Sequence, residues 1–287
     1  MYFKTTHTIN KWIWIAVVIW STCTTPGNDQ PANNTDNMST RIALAQVFLL
    51  DGDRSGNFRR IENAMIEAKA AGADIICFPE MAILGWVNPD AHERAHPIPG
   101  ADSDRLGALA KQYGLFVAIG LGEKDGEHLY DAAILLDDTG KILLKHRKNN
   151  ILSELMTPAY TPGQGVQVVS TKFGKIGLMI CADTFLDKLT AEMAGLQPDL
   201  LLVPYGWAEH EDQWPQHGKQ LEEVVINTAK HIKTTVVGTD LVGEISKGPW
   251  AGYVYGGQSL AVDASGNILA KLADRDREVK IIEVILR

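Results

Sequence analysis

Gly174-Lys-Ile-Gly-Leu-Met-Ile-Cys181-Ala-Asp183 decides the fold. Lys175 to Ile180 is a short, mostly apolar run bounded upstream by Phe173-Gly174. It is too short for a helix and is patterned for a strand covered on both faces. Cys181 stands at the C-terminal end of that strand, where sheet proteins place reactive groups. A thiol in such a place is most often a structural core residue, so its meaning depends on what the chain brings to its other strand ends.

Upstream of this strand, the pattern predicts strands over 41–48, 73–78 and 116–120 and helices over 57–71 and 103–113. Ile61, Ala64, Met65 and Ala68 line one face of the first helix, and glycines 72 and 114 stop the two helices. Hairpins follow: 130–136 with 142–145 around Asp137-Asp138-Thr139-Gly140, and 166–170 with the Cys181 strand. Downstream lie a short helix over 189–194, a strand over 199–204 and a helix over 221–232. Strands over 235–241, 259–263, 268–272 and 279–286 complete the chain. Such a mixture of βα units and hairpins gives an α/β protein of mixed sheets covered by helices. No internal repeat is present, and Gly120-Leu-Gly122 reads as a strand-end turn rather than a phosphate cradle.

The chain has 287 residues, of which 45% are hydrophobic, enough for one large core. A formal net charge of −8 lacks the basic footprint of a nucleic-acid binder. Three cysteines cannot build a disulfide framework. Cys77, inside Ile75-Ile76-Cys77-Phe78, reads as a small buried hydrophobe. Cys23 follows an uninterrupted apolar run from Trp12 to Trp20, itself preceded by Lys4 and Lys11 without an acid. Nine residues at a helical rise reach only about 13 Å, against a bilayer core of about 30 Å. That layout is a secretory signal or membrane anchor over residues 1–22, and Cys23 resembles the lipid-attachment cysteine of bacterial lipoproteins. Residues 23–39, rich in Thr, Asn, Asp and Pro, read as a disordered tether, and 40–287 as the folded domain. The expectation is an exported protein held at a bacterial membrane, or otherwise a periplasmic or secreted one.

Two further charged residues stand at strand ends. Glu80 closes the run Cys77-Phe-Pro-Glu80, and core packing does not explain a carboxylate there. Lys148 lies just past a strand in Lys145-His-Arg-Lys148. Strand-end Glu, Lys and Cys in this order resemble the nitrilase superfamily of carbon–nitrogen hydrolases. The resemblance runs from Arg41-Ile-Ala-Leu-Ala-Gln46 through Phe78-Pro79-Glu80, Ile98-Pro99-Gly100, Tyr160-Thr161-Pro162-Gly163 and Gly177-Leu-Met-Ile-Cys181. It continues through Leu202-Val203-Pro204, Gly257-Gln258-Ser259 and Asp263-Ala-Ser-Gly266.

What the resemblance implies is a four-layer αββα sandwich, paired in a homodimer or higher homo-oligomer through the helical face beside the nucleophile, with no cofactor. It implies hydrolysis of a small-molecule amide or N-carbamoyl bond through a Cys181 thioester. Glu80 would be the general base, with Lys148 and the Ala182 N–H as oxyanion donors. Glu154 would be a second carboxylate near the lysine. The chain departs from the pattern at Asn150-Ile151, Ala182, Phe185-Leu-Asp-Lys188 and His231-Ile232, which alters the surroundings of the substrate. Tyr205 and Trp207, with Trp214, Trp250 and Tyr253, are candidates to wall a pocket. Two other readings of the fold are a true nitrilase and a catalytically silent, lipid-tethered binding protein. His92-Glu-Arg-Ala-His96 matches a zinc-peptidase pattern, but Asn88-Pro89 and Pro97 leave no room for the helix that pattern needs. It reads as a polar loop, with no metal.

Overall fold

Strict alternation of buried side chains builds the first sheet. The structure, a computed structural model, describes residues 39–286; the signal or anchor, Cys23 and all of the expected tether but Ser39, which opens the first strand, lie outside them. In chain order the first five strands are β1 (Ser39–Gln46), β2 (Ile75–Cys77), β3 (Phe116–Asp125), β4 (His128–Leu136) and β5 (Ile142–Arg147). Ala43 and Ala45 of β1, Ile76 of β2, Val117 and Ile119 of β3 and Ile134 of β4 face one core. Their neighbours Ile42, Leu44, Ile75, Cys77, Ala118, Ala133 and Leu135 face another. With a period of two, both faces of the sheet are apolar and both must be covered.

One face is covered by helices α1 (Arg54–Ala70) and α3 (Ala101–Tyr113), which flank the four-residue α2 (Ala91–Arg94). Phe58, Ile61, Ala64, Met65 and Ala68 of α1 enter the first core. The helix starts three residues before the pattern predicts, because Asp53 caps it by accepting from the Gly56 N–H at 3.0 Å.

The other face meets a second sheet. After β6 (Val168–Thr171), β7 (Gly174–Leu178), β8 (Leu200–Pro204) and β9 (Ala208–Glu209) come β10 (Thr235–Thr239), β11 (Val242–Glu244) and β12 (Val254–Gly256). The last three strands are β13 (Leu260–Val262), β14 (Ile268–Lys271) and β15 (Glu278–Ile285). The sheet orders are β15-β1-β2-β3-β4-β5 and β14-β13-β10-β8-β7-β6. Each has three central parallel strands, β1-β2-β3 and β7-β8-β10, flanked by antiparallel partners. Helices α4 (Asp187–Leu196) and α5 (Gly218–Ile232) close the outside of the second sheet, α5 burying Leu221, Val225, Ala229 and Ile232. The result is the expected αββα sandwich of two mixed sheets.

The pattern did not predict the small sheet β11-β12-β9, whose strands are two or three residues long. Gly120-Leu-Gly122 lies inside β3 rather than at its end, and the strand runs on to Asp125. A Cβ on Gly120 would stand 2.5 Å from the Glu80 Cα, so this glycine lets the Glu80 backbone lie against the sheet. Cys77 is packed between the sheets with its Sγ 3.4 Å from Thr239 Oγ1, and burial pushes its thiol up to about 12. The two histidines of the zinc-like pattern turn to different partners: His92 Nε2 to the Pro158 carbonyl at 2.9 Å, His96 to Arg54 and Asp102.

Candidate active site

Parallel strands deliver their C-terminal ends to one edge, and the strand-end residues singled out from the sequence meet there. Glu80 follows β2, Cys181 follows β7, and Tyr205 to Trp207 follow β8; Lys148 follows β5, which runs in the same direction as β2 and β3. Glu80 is 0% exposed, Lys148 4% and Cys181 5%.

Lys148 Nζ donates to Glu80 Oε1 at 2.5 Å. Burial works against the ammonium, but the Glu80 and Asp131 carboxyls outweigh it and hold the lysine well above its ordinary value. Glu80 Oε2 has no hydrogen-bond partner. A Cβ on Gly206 would lie 2.9 Å from that oxygen, so Gly206 keeps the space in front of it open. The Gly206 amide also faces the Cys181 sulfur. Glu80 Oε2 and Cys181 thus share a neighbour that has no side chain to separate them.

β7 ends at Leu178, and Cys181 opens a 3₁₀ turn, Cys181–Phe185. Its φ is +38°, a region that a side-chain-bearing residue occupies only when its surroundings enforce it. Burial pushes the thiol well above its ordinary value and the Glu80 charge adds to this, while Lys148 and the Gly206 amide oppose it. Cys181 therefore rests as a thiol and needs a base to become a nucleophile. Ala182 sits in the first turn of the 3₁₀ segment, where backbone N–H groups have no partner within the turn.

Asp183 fastens the cysteine turn to the lysine segment. Its Oδ2 accepts from His146 Nε2 at 2.7 Å and from the Ile180 N–H at 3.1 Å. Its Oδ1 accepts from the Asn149 and Asn150 N–H groups at 2.8 and 2.9 Å. Burial raises this carboxyl, but the His146 bond and charge and the Asn150 N–H outweigh it and hold it below the ordinary value. A carboxyl lowered in the folded state contributes stability above its unfolded pKa and loses it as the pH falls through the folded value. Asp183→Ala is expected to cost about 3–5 kcal/mol in urea unfolding at pH 7. The gap to the wild type should close as the pH falls below the carboxylate range.

The carboxylate beside the lysine is Asp131, not Glu154. Glu154 lies exposed in the 3₁₀ turn Ser153–Leu155, with no hydrogen bond to the cluster. Asp131 is 0% exposed, and its Oδ2 accepts from Lys148 Nζ at 3.3 Å. The β4–β5 register pairs Ala132 with Arg147, which brings Asp131 against Lys148 across the hairpin. An available signal was an acid inside the apolar strand Leu129 to Leu136.

Tyr205 does not wall an open pocket. It is 0% exposed, and its hydroxyl meets Thr184 Oγ1 at 3.2 Å beneath the cysteine turn. Trp207 stays half-buried at the rim, stacked on His217 at 5.5 Å and edge-on to Phe185 at 5.7 Å. Its Nε1 is buried without a partner. The Trp207 N–H donates to Asp240 at 2.7 Å, which anchors the Tyr205–Trp207 segment from the neighbouring strand. On the other side of Lys148 a small cleft is lined by Trp86, Val87, Ile151, Leu155, Met156 and Tyr160.

Comparison with known proteins places this geometry. The chain is 28% identical over 219 residues to a bifunctional nitrilase/nitrile hydratase of Lupinus angustifolius, covering 67% of this chain and 62% of that protein. It thus spans about three-fifths of the length of such plant relatives. It is 27% identical over 247 residues to an omega-amidase of Xenopus tropicalis, covering 82% of this chain and 85% of that protein. An amidase of Nesterenkonia AN1 from the nitrilase superfamily superimposes with a TM-score of 0.73 at 23% identity, over 86% of this chain and 90% of that one. The carbon-nitrogen hydrolase family model matches residues 41–286, nearly the whole described domain, and the chain belongs to that family.

Proposed function

We propose that this chain is an amidase that hydrolyses small amides with an uncharged, apolar acyl group through a thioester on Cys181. The observation that carries the reading is the free Glu80 Oε2. Lys148 holds the other carboxylate oxygen, and Gly206 borders both Oε2 and the sulfur. Glu80 takes the thiol proton as Sγ attacks the amide carbon, then gives it to the departing amine. An ammonium has three donors. Two of those on Lys148 face Glu80 and Asp131, and the third, with the Ala182 N–H, is left for the oxyanion. One such donor is worth about 3–4 kcal/mol of barrier. Water activated by Glu80 then cleaves the thioester. In a mutant of the Nesterenkonia amidase the acetamide moiety of fluoroacetamide is covalently added at the active-site cysteine, which supports a nucleophilic sulfur here.

The cleft is small, about 10 Å³, and its side chains rather than its size argue for the acyl class. Among the described residues lining it, Lys148 is the one cation, and two carboxyls already claim it. An acyl chain bearing a carboxylate would bury that charge unpaired, at a cost of several kcal/mol. Ammonia release from butyramide is therefore expected to exceed that from succinamate, its carboxylated counterpart, by at least about 100-fold in kcat/KM. Equal or better cleavage of succinamate would sink the acyl assignment. Faster turnover of butyronitrile than of butyramide would favour a nitrilase instead. We further infer that the enzyme works at a membrane surface, a reading supported by the sequence of Met1 to Cys23 alone. Radioactive fatty acid should label the wild type but not Cys23→Ala.

A further inference from the structure

Two carboxyls, one ammonium and one thiol share a buried volume. Asp131, from β4, faces Glu80 from the segment after β2, Lys148 from the segment after β5 and Tyr160 from the loop before β6, with Cys181 beyond. Asp131 Oδ2 takes the lysine at 3.3 Å, Oδ1 has no partner, and the Asp131 and Glu80 carboxyls are brought together on the one ammonium. Two carboxyls that close cannot both ionise in a buried site, and a hydrogen bond between them requires a proton. Lys148 decides which one holds it. The ammonium is 2.5 Å from Glu80 and 3.3 Å from Asp131, so it favours the charge on Glu80.

We propose that Asp131 is a neutral carboxylic acid in the resting enzyme and donates a hydrogen bond to the Glu80 carboxylate, as a positioning residue that leaves Oε2 turned to Cys181. This rests on the reading of Glu80 as the base. Burial, reinforced by Glu80, pushes the Asp131 carboxyl well above its ordinary value, in the same sense.

The charge balance of the reaction gives the arrangement its use. At rest, Glu80 carries one negative charge, Lys148 one positive, and Asp131 and Cys181 none. When Sγ bonds to the amide carbon, its proton moves to Glu80 Oε2 and the carbonyl π electrons move onto oxygen. Glu80 becomes neutral, and the new oxyanion balances Lys148. The site is neutral before and after, with no net charge created in a buried volume. An ionised Asp131 would stand against the developing oxyanion throughout and would draw the Lys148 donors to itself.

Asparagine has the shape of a neutral aspartic acid and donates the same hydrogen bond. Asp131→Asn is therefore expected to keep kcat/KM on butyramide within about threefold of wild type, while Asp131→Ala, which lacks the donor, falls about 100-fold with its fold intact by circular dichroism. An asparagine variant that falls as far as the alanine variant would show that the ionised carboxylate is needed and would overturn the proposal. Infrared spectroscopy of protein carrying isotope-labelled aspartate reads the proton without any turnover. The carbonyl stretch of a protonated acid should be present at neutral pH and lost in Asp131→Asn. If that band is absent, the proposal falls even though amides are cleaved. If no amide or nitrile is cleaved while the band is present, it is the amidase reading that fails, and the positioning role with it. Should Asp131→Asn not fold, Glu80→Gln exchanges the hydrogen-bond acceptor, and an aspartate band unmoved by that exchange would equally contradict the proposal.

Discussion

Cys181→Ala is expected to leave a folded protein that releases no ammonia from butyramide above background, a loss of at least about 10⁴-fold in kcat/KM. Every covalent step runs through Sγ, and the other described cysteine cannot replace it. Cys77 is packed between the sheets, with its thiol pushed up to about 12 and no carboxylate aimed at it. The substitution removes one sulfur from a small side chain and leaves the Thr184 Oγ1 to Cys181 carbonyl bond, 2.7 Å, in place. Stability should change by no more than about 1 kcal/mol. Ammonia assays beside thermal unfolding check both halves. A Cys77→Ala variant with unchanged kcat shows that the effect belongs to the strand-end thiol.

Glu80→Gln should lower kcat/KM by about 10²- to 10⁴-fold, the range of a general base. The amide keeps the shape of the carboxylate and can still accept from Lys148, so lost geometry is not the cause. The sign of the pH effect separates proton transfer from simple electrostatics. The Glu80 charge is one of the influences that raise the Cys181 thiol, and removing it lets the thiolate form at lower pH. The midpoint for Cys181 alkylation by iodoacetamide is therefore expected to move down in Glu80→Gln, while amide hydrolysis at neutral pH falls. Were Glu80 only an electrostatic neighbour, easier ionisation would bring faster acylation.

Much of this site was legible because strand-end residues announce themselves locally. Glu80 and Cys181 follow apolar runs and Lys148 follows a strand, and strands that run in one direction carry such ends to one edge. Strand and helix positions followed from periodicity, with edges shifted where a side chain rather than the pattern sets the boundary. Asp53 extends the start of α1 in this way. The cysteine strand ends at Leu178, before the thiol, because its ladder to β8 stops there.

Contacts across the sheet were not legible. Asp131 reaches Lys148 through the hairpin register, which depends on where the β4–β5 turn closes. Glu154 is nearer to the lysine in sequence, yet it points to solvent. Tyr205 follows a strand as a pocket residue would, but its ring turns into the core beneath the cysteine turn. The tie from His146 and Asp183 to Asn149 and Asn150 likewise needs two sheets packed face to face before its partners meet.

The central claim is that Cys181 carries the acyl group. Enzyme quenched in acid during turnover of butyramide, digested and read by tandem mass spectrometry, should show the butyryl mass on the peptide ending the β7 strand, at Cys181. The adduct should be absent from Cys181→Ala. Ammonia release continuing with Cys181 unmodified, or the butyryl group found on another side chain, would contradict it.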